Sequence, residues 1–156
     1  MTSLKRILQD NEIAFGYRIG YLFNHFSVSV YRWTTAEYRI QRPQFATLFC
    51  AARLGRATAT DVVTLTGIPR NSVSRAVADL IKNGMLKRAD DINDGRRAIL
   101  SLTPKGRKVF ESILPRFLDR QERMLAVLSG AERRELDRLL NKLVERDDDW
   151  AQAETT

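Results

Sequence analysis

Two glycines, Gly67 and Gly84, stop a helical pattern twice within a short span, and an alternating stretch follows the second. Between them, "RNSVSRAVADLIK" places Val73, Val77, Leu80 and Ile81 at i, i+4, i+7 and i+8, the spacing of one buried helix face. Residues 58–66 before Gly67 read as a short helix, and "TGIP" reads as a tight turn. After Gly84, residues 85–102 read as two short strands around a polar tip. In the second strand Ala98, Leu100 and Leu102 alternate with Arg97, Ile99 and Ser101. A short helix, a turn, a second helix and a hairpin in this order leave few folds open. The arrangement is a helix-turn-helix continued by a β-wing, so the fold is expected to be mainly α with a small β-wing.

The remainder of the chain reads as helices over about 10–32, 35–53, 104–128 and 130–149, with the helices of the central unit at 58–66 and 70–83. Thr34/Glu37, Thr58/Asp61 and Ser129/Glu132 each pair a hydroxyl with an acid three residues on, a helix-start signal. Thr103-Pro104 supplies a fourth start, with proline where it sacrifices no hydrogen bond. Val109, Ile113 and Phe117 in one helix, and Leu136, Leu139, Leu140 and Leu143 in the next, form apolar stripes at helical spacing. Pro115 is placed to kink the first of these helices, and the tail after Trp150 to fray.

Charge separates the centre from its flanks. The chain of 156 residues carries a net charge of +7. Residues 53–108 hold 12 Lys and Arg against 5 Asp and Glu, whereas the flanks together hold 14 of each sign. The whole excess lies on the helix-turn-helix and hairpin, as a polyanion-binding face requires; basic surplus for solubility is the plainer reading. Opposite the apolar face of the second helix stand Arg70, Asn71, Ser72, Ser74, Arg75 and Lys82. Hydroxyls, an amide and guanidiniums near a helix N-terminus suit base edges and phosphates in a major groove, although a merely solvated face has the same composition. At the hairpin tip, Arg96 is narrow enough in reach for a minor groove, with Asp94 two residues away to hold it extended. Arg97 and Lys82 suit phosphate contacts, which position without reading sequence.

"SVSR" in the second helix, "NGMLKR" entering the hairpin and "DGRRAILSLTPKG" across it resemble the core of MarR-type transcriptional regulators (multiple-antibiotic-resistance regulators). The order of elements is similar from about residue 12 to 146. The resemblance implies a winged helix-turn-helix lobe at 35–103 and a helical dimerisation region formed by 1–34 and 104–150. It implies a homodimer on a pseudo-palindromic double-stranded DNA operator, most often as a repressor. It also implies that Ser72, Ser74 and Arg75 enter the major groove, with Arg70 and Asn71 at the helix entrance, and that Arg96, oriented by Asp94, enters the minor groove.

Ten of the thirteen aromatic residues lie between Phe15 and Phe49. They suit a dimer core, or an aromatic-lined cleft of the kind that binds phenolic or aromatic carboxylate effectors in proteins the chain resembles. For the cleft, the candidates are Tyr17, Arg18, Tyr21, His25, Phe45 and Phe49. Gly16 and Gly20 suit a close helix approach at the dimer base. Other functions find less support. There is no phosphate-cradling glycine loop and no metal-ligand spacing, and one histidine and one cysteine leave few nucleophile-base pairs. Neither an enzyme, a metal nor a cofactor is therefore expected. Cys50, mid-helix among apolar residues, is expected to be buried and unreactive. The acids in "ERDDDW" suit a solvated helix end. The longest uncharged run, 19–31, is too short and polar for a membrane span, and the start of the chain lacks a secretory pattern. A single cysteine fits a reducing cytoplasm. A winged helix used for protein contacts without an effector response is the rival to DNA binding.

Overall fold

The structure is a computed structural model and describes residues 6–90 and 98–146. The hairpin tip and the acidic end of "ERDDDW" lie outside the described residues. Along the chain run α1 (Ala14–Tyr38), α2 (Arg42–Leu54), α3 (Ala59–Thr66), α4 (Arg70–Lys82), β1 (Leu86–Asp90), β2 (Ala98–Leu102), α5 (Pro104–Leu125) and α6 (Gly130–Val144). The expected class, mainly helical with a small antiparallel sheet, is the one found. Met1–Leu118 and Asp119–Thr156 form two compact units.

The first helix boundary differs from the expected one. Thr34 does not open a helix but lies buried inside α1, where its Oγ1 donates to the carbonyl of Ile40 (2.7 Å) and to that of Tyr31 (3.1 Å). Thr35 Oγ1 likewise donates back to Tyr31 O (2.8 Å). Both hydroxyls are thus satisfied by carbonyls rather than by free helix-start N–H groups. α1 runs on to Tyr38 and stops where Arg39 turns left-handed (φ 55°), with its N–H on Thr35 O. α2 then starts on Gln41, whose N–H donates to Gln44 Oε1 (2.7 Å), with Pro43 in its first turn where no N–H is missed.

α2 has a core on each side. Phe45, Leu48 and Ala51 pack with Ile40, Leu80, Met85, Leu86, Phe110 and Ile113. Cys50 packs instead with Ala57, Val62, Ile68 and Val73. Phe45 lies at the centre of the first cluster, stacked on Phe117 with centroids 4.3 Å apart and planes 2° apart. Phe110 lies on it at 6.1 Å, and Tyr31 of α1 meets it edge-on at 6.3 Å.

β1 and β2 pair antiparallel, with Leu86 opposite Leu102 and Asp90 opposite Ala98. On its other edge β2 meets Ala57, which exchanges both backbone hydrogen bonds with Leu100 (2.7 and 3.2 Å). Ile99, expected on the polar side of the strand, is buried along with Leu100. Successive strand residues face opposite ways, so the middle of β2 is covered on both faces. In the second unit, α6 starts on a reciprocal cap. Ser129 Oγ accepts from Glu132 N–H, and Ser129 N–H donates to Glu132 Oε2 (2.8 Å). The Ser129 hydroxyl also donates to Glu132 Oε2 (2.7 Å), and this bond, with that from the Ser129 N–H, holds the Glu132 carboxyl below its ordinary range.

Replacing Phe45 by alanine removes the ring common to these aromatic contacts. Phe45→Ala is expected to cost about 3–5 kcal/mol of stability in denaturant unfolding of the lobe.

Candidate nucleic-acid interface

The turn between α3 and α4 is built from local bonds. Thr58 and Asp61 cap α3 reciprocally: Thr58 N–H donates to Asp61 Oδ2 (2.7 Å) and Asp61 N–H to Thr58 Oγ1 (3.1 Å). Gly67 ends α3 at φ 62°, a left-handed conformation, with its N–H on Val63 O (2.9 Å). Ile68 then drops into the core, and Pro69 O takes the N–H groups of Ser72 (2.9 Å) and Val73 (3.1 Å) to start α4.

Val73, Ala76 and Leu80 are the buried face of α4. Val77 is half-buried. Ile81, expected inside, is 36% exposed: the buried face runs through Val73, Ala76 and Leu80, and Ile81 lies about 100° round the helix from Leu80. The opposite face carries what the sequence placed there. Arg70, Asn71, Ser74, Arg75 and Lys82 are exposed, and Ser72 is half-buried. Arg75 Nε reaches back to Asn71 O (3.4 Å), which draws its guanidinium along the helix toward the N-terminal turn. Asp94, Arg96 and Arg97 lie outside the described residues, so the geometry assembles the helix half of the candidate interface.

Beside this face lies a cavity of about 310 Å³ between the start of α2 and α4, lined by Gln41, Pro43, Gln44, Ser72, Arg75, Ala76 and Asp79. Gln44 Nε2 donates to Asp79 Oδ2 across it (3.4 Å). Gln41 and Gln44 were not among the sequence candidates, and the signal for them was Pro43, a helix-start residue inside "RPQF". Lys87 and Arg88 on β1 are also exposed and add to the basic surface; only the regional charge surplus pointed to them.

The aromatic candidates fall into two neighbourhoods. Tyr17 and Tyr21 line an open groove of about 570 Å³ on α1, with Leu8, Ile13, Gly16, Gly20 and Asn24. His25 stacks on Tyr21 with centroids 3.9 Å apart, its Nδ1 3.0 Å from Tyr21 O. Arg18 Nε donates to Ala14 O (3.2 Å). Phe45 and Phe49 belong elsewhere. Phe45 is in the core, and Phe49 is partly exposed against Phe110, with the Arg53 guanidinium 5.4 Å from its centroid. Among the described residues no three acidic, histidine or cysteine side chains gather as a metal site. No described helix is long and apolar enough to cross a membrane.

A helix-turn-helix joined to an antiparallel hairpin defines a winged-helix protein. Residues 40–97 match the family model described as "MarR family". The chain is 37% identical over 70 residues to the HTH-type transcriptional regulator BilQ of Clostridium symbiosum, a match covering 45% of this chain and 49% of BilQ. It is 30% identical over 86 residues to the transcriptional repressor MprA of Escherichia coli, covering 55% of this chain and 49% of MprA. The chain thus spans about half the length of the curated relatives it matches. The structure of BpsR from Bordetella bronchiseptica, described with regulation of its DNA binding by 6-hydroxynicotinic acid, superposes with a TM-score of 0.66 at 25% identity, over 81% of this chain and 98% of that one. Over residues 40–97 the winged helix-turn-helix of this chain is similar to that of the MarR family.

Cys50 is buried, and burial pushes its thiol above the ordinary range, with the Asp61 carboxylate adding to the shift. Because the folded value is the higher one, the thiol's contribution to stability is complete below the unfolded value and is lost as pH rises through the folded one. Native Cys50 is expected to react slowly with maleimide. Stability should fall more steeply above the ordinary thiol pKa in the native chain than in Cys50→Ala, as unfolding midpoints across that range will show.

Proposed function

We propose that the chain is a sequence-specific double-stranded-DNA-binding transcriptional regulator, a repressor that binds a pseudo-palindromic operator as a homodimer. One observation carries the reading. The exposed N-terminal part of α4 presents Arg70, Asn71, Ser74 and Arg75 from a fixed turn, within a segment that matches the MarR family. Those groups read base edges, and the wing's Arg96, oriented by Asp94, enters the minor groove while Lys82 and Arg97 hold phosphates. The description of MprA as a repressor supports repression. The protein then works where DNA is, in the cytoplasm, and no catalytic step is assigned to it.

Dimerisation is supported by the apolar side chains left in the open. On α1 these include Phe15, Ile19, Leu22 and Phe23, and on α6 Leu136, Leu139, Leu140 and Leu143. Exposed apolar faces of this kind mark association surfaces. Residues 1–34 and 104–150 form the dimer base in this reading and 35–103 the lobe. Two lobes imply half-sites about one helical turn apart, roughly 34–36 Å.

BpsR supports an aromatic acid as effector. Tyr17 and Tyr21, from the open groove on α1, are its proposed contacts, with Arg18 and His25 from the same helix. Such a ligand alters DNA binding only by preferring one spacing of the lobes.

Selection of bound duplexes from a random pool tests the reading. Affinity for the selected duplex is expected to fall log-linearly with salt, and Arg96→Ala should weaken it by about 1–3 kcal/mol at fixed salt with the dimer intact. Failure to retain any duplex at low salt would favour a protein-contact role instead. With 6-hydroxynicotinic acid present, the native dimer is expected to release the duplex and Arg18→Ala to retain it. An equal response of the two would remove Arg18 from the effector site.

A further inference from the structure

Three consecutive carbonyl groups follow the end of α4, and the start of α5 takes all three. Lys105 Nζ donates to Asn83 O (2.8 Å), Thr103 Oγ1 donates to Gly84 O (2.7 Å), and Thr103 N–H donates to Met85 O (3.1 Å). Thr103 Oγ1 also accepts from Gly106 N–H (3.0 Å), so one hydroxyl ties off the turn after α4 and the open N-terminus of α5 together. Gly106 is buried so closely that a Cβ there would meet Met85 O at 2.0 Å and Met85 C at 2.8 Å. Only glycine admits this approach of two backbones. Upstream, Asn83 N–H bonds Asp79 O, Gly84 N–H bonds Ile81 O, and Met85 N–H bonds Leu80 O, all within 2.9 Å. Backbone hydrogen bonds therefore run from the last turn of α4 into the first turn of α5.

The buried face of α4 is short and built of small or medium side chains, Val73, Ala76 and Leu80. Such a face fixes how deeply the helix sits but resists tilt and axial sliding weakly. The clamp at its C-terminal end supplies that restraint. Arg70 and Asn71 lie about 20 Å from the clamp along the helix, at 1.5 Å per residue, so a tilt of about 10° there displaces them by about 3 Å. A displacement of that size breaks a hydrogen bond to a base edge but leaves attraction to phosphates nearly unchanged.

We propose that Thr103 and Gly106, assisted by Lys105, are positioning residues for sequence reading: they lock the tilt and axial position of α4 to α5. Discrimination between duplexes depends on them, whereas affinity for DNA as such does not. This inference rests on the DNA-reading function proposed above.

The test compares the native chain of 156 residues with Thr103→Val, Thr103→Ser and Lys105→Met. Binding to the selected duplex and to a random duplex is measured at one salt concentration. In Thr103→Val the ratio of specific to non-specific affinity is expected to fall at least tenfold (on the order of 1.4 kcal/mol), with non-specific affinity within about twofold of native. Thr103→Ser should restore the ratio. Lys105→Met removes only one of the three carbonyl bonds and should lower the ratio to a smaller extent; an unchanged ratio would remove Lys105 from the clamp. Native discrimination in Thr103→Val, or a failure of Thr103→Ser to restore it, would overturn the proposal. A second arm needs no DNA. In a Cys50→Ala background, spin labels on Ala78→Cys and Arg107→Cys should give a narrow distance distribution that Thr103→Val broadens. If the native chain binds no duplex, the DNA reading fails; an unbroadened distribution in this arm defeats the clamp itself.

Discussion

Phe45 lies flat on Phe117, and Tyr31, Phe49 and Phe110 close around it. This cluster joins α1 and α2, which are consecutive, to α5 far along the chain, through one ring. Aromatic pairs of this geometry contribute about 0.5–1.5 kcal/mol each beyond the area they bury. The rest of the lobe is arranged from α2, since its other side carries Cys50 into the core under α3 and α4. The depth at which the helix-turn-helix sits therefore depends on a helix that holds none of the proposed reading residues. The aromatic concentration in the first fifty residues is explained by two uses. Phe45 and Tyr31 build the core, while Phe15, Tyr17 and Phe23 stay in the open on α1.

Charge is used differently in the two units. In the second, Arg123 pairs with Asp119, Arg133 with Glu122, and Arg138 with Glu135. These are exposed pairs worth little individually, and over 119–156 seven Lys and Arg stand against ten Asp and Glu. On α4 and β1, exposed Arg70, Arg75, Lys82, Lys87 and Arg88 greatly outnumber the acids. Like charges at such density repel one another in the free protein, a cost that is released when a polyanion supplies the missing counter-charge. In the proposed reading, the DNA backbone supplies that counter-charge.

How far the sequence could be read depended on the range of the contacts involved. The caps at Thr58/Asp61 and Ser129/Glu132 and the stop at Gly67 are local, and a few residues contain all the atoms that decide them. Thr34/Glu37 has the same spacing and fails, because Thr34 Oγ1 finds the carbonyl of Ile40 beyond the helix end and is buried there. Ile81 and Ile99 were misplaced for a related reason. Periodicity names a face, but neighbours elsewhere in the chain decide what is covered. Of the site, the polar face of α4 was legible from spacing alone. The contributions of Gln41 and Gln44 were not, since they require α2 to begin beside α4. Gly106 is the sharpest case. In "TPKG" it looks like an ordinary first-turn residue, and its necessity lies in the carbonyl of Met85, twenty-one residues upstream.

That contact bears on how a two-lobed reader can work at all. Recognition of paired half-sites needs each reading helix placed to within hydrogen-bond tolerance, a few tenths of an ångström. It also needs the distance between the two helices to match the operator. In the proposed dimer the first requirement falls to each lobe, through the two cores around α2 and the contact of Met85 with Gly106. Only the second then remains adjustable. An effector acting on the proposed dimer base has one variable to change, the spacing of the lobes, and does not have to distort a lobe to change it. A loose junction between α4 and α5 would absorb such a shift before it reached Arg70 or Arg75. Tight backbone packing at a position where only glycine fits is therefore what a transmitted change in spacing requires of this chain.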